Sequence, residues 1–389
     1  MVLSQAVSLL LVATAVAVLP GIARMLRIPA SVIEILFGVI LGKSLFNLQL
    51  GGEYLDFLAE LGFLVLMFHA GMEINFTMLK RTSTGRLAMQ GALFAVTLVL
   101  AFLAAWSLGR GMFMALVLTT TSLGLVMPAL REAGLSGTQF GQSVLISATL
   151  ADFLTLLGIT FVVLWKNYGL SWQFAFPLPL FVAFGIALWA LRLWAWWNPE
   201  RAESLFLGAG SQEQGVRMAL AMLFIFVGLS ELVHLEPVLG AFMGGCIISF
   251  VLREKEELES KISAIGFGFL VPLFFINVGM QFDLTNILNP RMMVFTGALL
   301  VLALAVKLIP GMLLVLTGIK LREGLSAGLL LSSRLSLIVA AASIGVREGF
   351  ITAELKDSIV LLALLTCLLG PVLFKLSLRG QGAGSASGA

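Results

Sequence analysis

Charge is scarce in this sequence. Asp, Glu, Lys and Arg make up only 12% of its 389 residues, against about 25% in ordinary soluble domains. With 59% apolar residues, the chain has too little polar surface to cover a water-soluble core, so its solvent is lipid. Histidine and cysteine are scarcer still, at two each. Cys246 and Cys367 both fall inside apolar runs and far from any metal-ligand spacing, so they read as core residues. Neither a disulfide nor a bound metal or other cofactor is implied. The net charge of +3 is small and its bases lie mainly between apolar runs, which removes nucleic acid as a partner. No His-Glu, Ser-His or paired-Asp set is visible, which speaks against an enzyme.

What is abundant is long apolar sequence. Thirteen runs stand between charged, Pro-rich or Gly-rich breaks, at about 3–23, 30–47, 55–73, 87–108, 111–130, 139–165, 171–196, 215–233, 236–252, 262–281, 292–318, 324–346 and 357–378. A signal peptide or a single anchor does not fit runs that continue almost to the C-terminus. The expected fold is an all-α polytopic membrane protein. Sixteen of the 24 Lys and Arg residues fall on the side of the odd-numbered connections and the C-terminus, and six on the other. The positive-inside rule then places the N-terminus outside and the C-terminus in the cytoplasm. The remaining two bases, Lys307 and Arg334, lie near the middles of runs eleven and twelve.

One acid shares that depth. Asp152 sits about halfway along run six, close to the midplane of a bilayer whose core is about 30 Å thick. A charge there costs at least roughly 2.5–3.5 kcal/mol, and such residues usually face a pathway, a partner or a proton relay. The plainer alternative is a neutral, hydrogen-bonded carboxyl with no part in transport.

Thirteen runs suggest two inverted six-helix halves joined by the seventh, so that run five corresponds to run twelve. Run five carries Thr119-Thr-Thr-Ser122 at mid-depth and run twelve carries Ser332-Ser333-Arg334-Leu335-Ser336. Polar clusters at matching places in two halves are expected of discontinuous helices crossing at an ion site. Alternatively these hydroxyls pack between helices or bond their own backbone. Desolvation favours the protonated form of a carboxyl and a nearby cation favours the ionised form. Asp152 near Lys307 and Arg334 has the means for both. Thr119, Thr120, Thr121 and Ser122, with freed carbonyls, are candidate oxygens for a small monovalent cation. The bases have a structural reading too: each can neutralise the negative C-terminal end of a broken helix.

Other polar residues are weaker candidates. His69 is a possible pH-responsive group or simply a packing residue, and His234 sits at an outer connection. Glu34, Glu60 and Glu73 lie toward or near the ends of their runs, and Asp357 reads as a helix-start charge. The tail 380–389, rich in Gly, Ser and Ala, reads as a flexible linker or expression scar where a C-terminal cytoplasmic regulatory domain was removed.

Several stretches together resemble the second group of monovalent cation:proton antiporters, which includes Kef-type and bacterial Na⁺/H⁺ exchangers. They are Glu34-Ile-Leu-Phe-Gly-Val-Ile-Leu-Gly42, Leu58-Ala-Glu-Leu-Gly62, Phe68-His-Ala-Gly-Met-Glu73, Leu130-Arg-Glu-Ala-Gly134, Leu239-Gly-Ala-Phe-Met-Gly-Gly245 and Pro272-Leu-Phe-Phe-Ile-Asn-Val-Gly-Met280. The resemblance implies an inner-membrane homodimer working as an elevator. In it a core bundle, about 85–169 and 290–379, moves against scaffold helices, about 1–84 and 170–281. It also implies Asp152 as the site where a proton competes with Na⁺ or K⁺, with Lys307 or Arg334 as its basic partner. Members commonly carry Asp, Asn or Gln immediately before the key Asp, whereas this chain has Ala151, which points to one cation per proton and leaves Lys307 without its usual polar neighbour. They often carry Glu where this chain has Ser336. A passive cation channel and a non-transporting sensory or structural subunit remain as alternatives.

Overall fold

The computed structural model describes residues 5–26, 28–42, 46, 53–74, 84–135, 138–169, 213–232, 237–251, 256–283, 289–317 and 320–379, with isolated positions between 182 and 197. Most of run seven, most of the polar stretch that follows it, His234 and the tail 380–389 lie outside the described residues.

Among the described residues the regular structure is entirely helical, as a bilayer core requires of a chain that must satisfy every backbone group internally. Eight segments are long and apolar enough to span a membrane. A bent pair and three shorter apolar helices accompany them, and together these account for every run except the seventh. The protein is a multi-pass membrane protein. Its contacts divide it into two compact units, Met1–Lys80 with Val163–Phe282 and Arg81–Val162 with Asp283–Ala389.

The first unit contains α1 (Gln5–Leu26), α2 (Ala30–Leu41), α3 (Glu53–Glu73), α8 (Gln214–Leu232), α9 (Pro237–Val251), α10 (Glu256–Ile265) and α11 (Val271–Gln281), with a π-helical turn at Gly266–Leu270 joining the last two. Its main pairings are α2 on α11 and α3 on α9. If run two matches run nine and run three matches run ten, these pairings are one contact made twice, as an inverted repeat demands. Both are glycine crossings. A Cβ on Gly38 would strike the Ile276 carbonyl and Gly279, and one on Gly71 would strike the Phe242 carbonyl and Gly245. Absent side chains let the backbones approach closely, which stands in for the hydrophobic drive that lipid does not supply.

The second unit contains α4 (Thr84–Ser107), α5 (Met112–Thr119), α6 (Leu123–Glu132), most of α7 (Gln139–Tyr168), α12 (Pro290–Leu313), α13 (Leu321–Leu331), α14 (Ser336–Arg347) and α15 (Ala353–Arg379). Runs five and twelve are the broken ones. The first gives α5 and α6, separated by three non-helical residues, and the second gives α13 and α14, bent by 46°. α5 packs on α14 and α6 on α13, so each half-helix meets the opposite half of the other break and the two broken helices cross.

One expectation needs correcting. Asp357 does not start its helix: α15 begins at Ala353, and Asp357 is buried in the second turn. The start is set by Thr352, whose hydroxyl accepts from the Leu355 N–H at 3.3 Å, with Glu354 as the first-turn acid. The signal followed the apolar run, which begins later than the hydrogen-bonded helix.

Candidate site at the crossing of two broken helices

An α-helix that stops leaves its last four carbonyls without partners, and in a membrane they must find donors within the protein. At the end of α5 the sequence supplies them locally. The Thr119 hydroxyl donates to the Leu116 carbonyl (2.7 Å) and the Thr120 hydroxyl to the Val117 carbonyl (2.8 Å). Ser332 repeats the device at the end of α13, donating to the Leu329 carbonyl at 2.6 Å. These hydroxyls therefore close helices, and the threonine run is what allows the chain to unwind at Thr120.

The Thr119 carbonyl is served from a distance. Lys307, on α12 and buried, donates from Nζ to that carbonyl at 2.6 Å and to the Thr121 hydroxyl at 2.7 Å. Its positive charge thus rests on the negative end of α5. Across the break the polarity reverses: Asp152 Oδ2 accepts from the Leu123 N–H at 3.3 Å, which places the carboxylate at the positive N-terminus of α6. Such helix-end placements contribute up to about 2 kcal/mol in partly buried geometry, and hydrogen bonds to charged groups about 1.5–3 kcal/mol. The two effects together match the cost of midplane charges at roughly 2.5–3.5 kcal/mol each.

Arg334 occupies the second break, fully buried. Its Nη2 donates to the Ala303 carbonyl of α12 at 2.7 Å, and its Nε and Nη1 have no hydrogen-bond partner among the described residues. α12 therefore touches both breaks, through the Ala303 carbonyl and, one turn on, the Lys307 ammonium. Lys307 lies within Coulombic reach of both Arg334 and Asp152. Of the three charged side chains, only Asp152 is more than marginally accessible.

The family model for the sodium/hydrogen exchanger transmembrane region matches residues 10–378. The chain belongs to the sodium/hydrogen exchanger family. It is 31% identical over 370 residues to the putative Na⁺/H⁺ antiporter YjbQ of Bacillus subtilis, covering 90% of this chain and 59% of that protein's length. It is also 28% identical to the probable Na⁺/H⁺ antiporter 3 of Methanocaldococcus jannaschii, covering 92% of each. The solved structure of the sodium proton antiporter MjNhaP1 from the same archaeon shares the fold, with a TM-score of 0.65, 14% identity and 99% of both chains covered.

The second unit gathers most of the residues singled out from the sequence. Asp152, Thr119, Thr120, Thr121, Lys307 and Arg334 all border the two breaks. Ser122 is buried there and its carbonyl opens α6, accepting from the Leu125 and Val126 N–H groups at 3.1 Å each. His69 belongs to the other unit. Its Nε2 lies 2.6 Å from the Ser263 hydroxyl, its Nδ1 3.5 Å from Glu73, and the Phe267 ring packs edge-on against it. Glu34 is likewise in the first unit and buried within α2. Cys246 and Cys367 are buried in α9 and α15. Sequence reasoning missed Thr155, whose hydroxyl lies 3.0 Å from that of Thr119 and ties α5 to α7. Its position one turn beyond Asp152, at i+3, was the available signal.

Proposed function

We propose that this exchanger trades protons for a monovalent cation, Na⁺ or K⁺, one for one, with both competing for Asp152. The observation that carries the reading is the position of that carboxylate. It is the accessible charge at the crossing, it sits at the N-terminus of α6, and both nearby bases are buried and directed to carbonyl or hydroxyl oxygens. An incoming cation meets one carboxylate and the freed oxygens of the break, and releasing it requires only that the carboxylate take a proton. With Ala151 before it in sequence, Asp152 has no acidic chain neighbour on that side.

Membership of the family supports secondary-active antiport over a passive channel. We read the unit carrying the crossing as the moving core and the glycine-packed unit as a dimerising scaffold. We place the protein in the bacterial inner membrane by its family resemblance, with the N-terminus outside from the distribution of Lys and Arg.

Reconstitution in liposomes with a lumenal pH dye tests this. Added Na⁺ or K⁺ is expected to move protons, the movement is expected to survive voltage clamping, and Asp152→Asn is expected to reduce it to the protein-free background. Exchange retained in Asp152→Asn would remove the site assignment. Exchange driven by an imposed membrane potential would remove the one-for-one stoichiometry.

A further inference from the structure

Beside Ala151 the second unit contains a partly open cavity of about 40 Å³. Its polar wall comes from Gln90 and Thr97 of α4, Ser147 of α7, Thr121 of the first break and Lys307 of α12, and Ala151 faces it as well. Asp152 does not line it. A cavity needs roughly 10–15 Å³ and two to four polar partners to hold a water molecule, and this one meets both conditions.

The hydrogen bonds of the wall indicate the occupant. Lys307 directs two N–H bonds to the Thr119 carbonyl and the Thr121 hydroxyl, and an ammonium has a third. The Thr97 hydroxyl donates to the Leu93 carbonyl at 2.8 Å. The single proton of the Ser147 hydroxyl already has two acceptors, Gln90 Oε1 at 2.5 Å and the Ser143 carbonyl at 3.0 Å. Both hydroxyls thus have their protons committed and keep lone pairs. A wall with a spare ammonium N–H and several lone pairs suits a molecule that both accepts and donates. The Gln90 amide, whose oxygen accepts from Ser147, adds N–H donors to the same wall.

We infer that this cavity is a structural water site, in which bound water accepts from Lys307 and donates to the oxygens of Thr97 and Ser147. The small side chain of Ala151 makes the room, and the water supplies the polar contact that an alanine cannot. The inference is independent of the exchange reading, because it concerns how Lys307 is held and can be read without measuring transport.

Two measurements test it. The first is a density map of the unaltered protein at a resolution that shows ordered water, where density is expected within hydrogen-bond distance of Lys307 Nζ and of Ser147 or Thr97. The second compares Ala151→Thr with Ala151→Val, which fill the cavity with nearly the same shape and the same β-branch, while only threonine brings an oxygen for Lys307. The Tm of the valine variant is expected to fall below that of the threonine variant by about 2 °C or more. A cavity without density, or a valine variant as stable as the threonine one, overturns the site. Should neither variant fold, the map of the unaltered protein decides.

Discussion

The two units solve the membrane packing problem with different materials. In the first, α2 on α11 and α3 on α9 approach through glycines, and an added Cβ would meet backbone on the opposing helix. In the second, the central helices are broken, their ends are bound by hydroxyls, a lysine and a carboxylate, and an arginine ties the second break to α12. The division is not absolute, because α12 and α13 also meet through Gly311, Gly324 and Gly328. What differs is the consequence of a small change. A methyl group is the damaging insertion in the first unit, and the loss of a polar atom is the damaging deletion in the second.

That contrast can be broken by experiment, starting with the change expected to matter most. Gly71→Ala puts a methyl into the Phe242 carbonyl and Gly245, and should cost up to about 3 kcal/mol, the upper part of the range for overpacking. Its control is Gly91→Ala in α4, where a Cβ meets nothing within 4 Å. That change should be neutral or should stabilise by up to about 1 kcal/mol through helix propensity. Thermal unfolding of both variants in detergent measures the gap, and equal midpoints would show that the glycine crossing does not hold the first unit together. A smaller net effect is expected from Lys307→Met, which removes two charge-assisted hydrogen bonds from the first break at about 1.5–3 kcal/mol each but also lifts the roughly 2.5–3.5 kcal/mol cost of a midplane charge. Hydrogen exchange should then rise at the end of α5 before it rises elsewhere in the second unit. Uniform protection across α5 would mean that the lysine does not hold the break. The smallest effect belongs to Thr155→Val, which loses one interhelical hydrogen bond, about 0.6 kcal/mol in membrane proteins. A loss several times larger would make the Thr119–Thr155 contact a principal support of the crossing.

How much of this was legible in the sequence depended on rarity. Lys307, Arg334 and Asp152 stood out because charges inside apolar runs are few, and the two polar clusters stood out because they fall at matching places in two halves. The fold followed from the same apolar runs. Thr155, Ser147, Gln90 and Thr97 did not stand out, because single hydroxyls and amides are ordinary in membrane helices and their partners lie far away in sequence: Ser147 meets Gln90 across 57 residues and His69 meets Ser263 across 194. Lys307 was found, but its partners were not. A mid-depth base that neutralises the negative end of a broken helix was legible from the charge pattern, but the particular acceptors, the Thr119 carbonyl and the Thr121 hydroxyl, lie 188 and 186 residues away in sequence. The glycines lay within motifs recognised by resemblance, and their work as crossing points became visible only with the opposing backbone in place.

The single carboxylate among two buried bases has an electrical consequence. When Lys307 and Arg334 keep the same protonation in both loaded states, Asp152 carrying a proton and Asp152 carrying a monovalent cation leave the site with the same formal charge. Under the proposed exchange, whichever species is loaded, the moving body carries an identical burden through the transmembrane field. Work done by the field on the outward journey is returned on the inward one, so the concentration gradients alone set the direction of exchange.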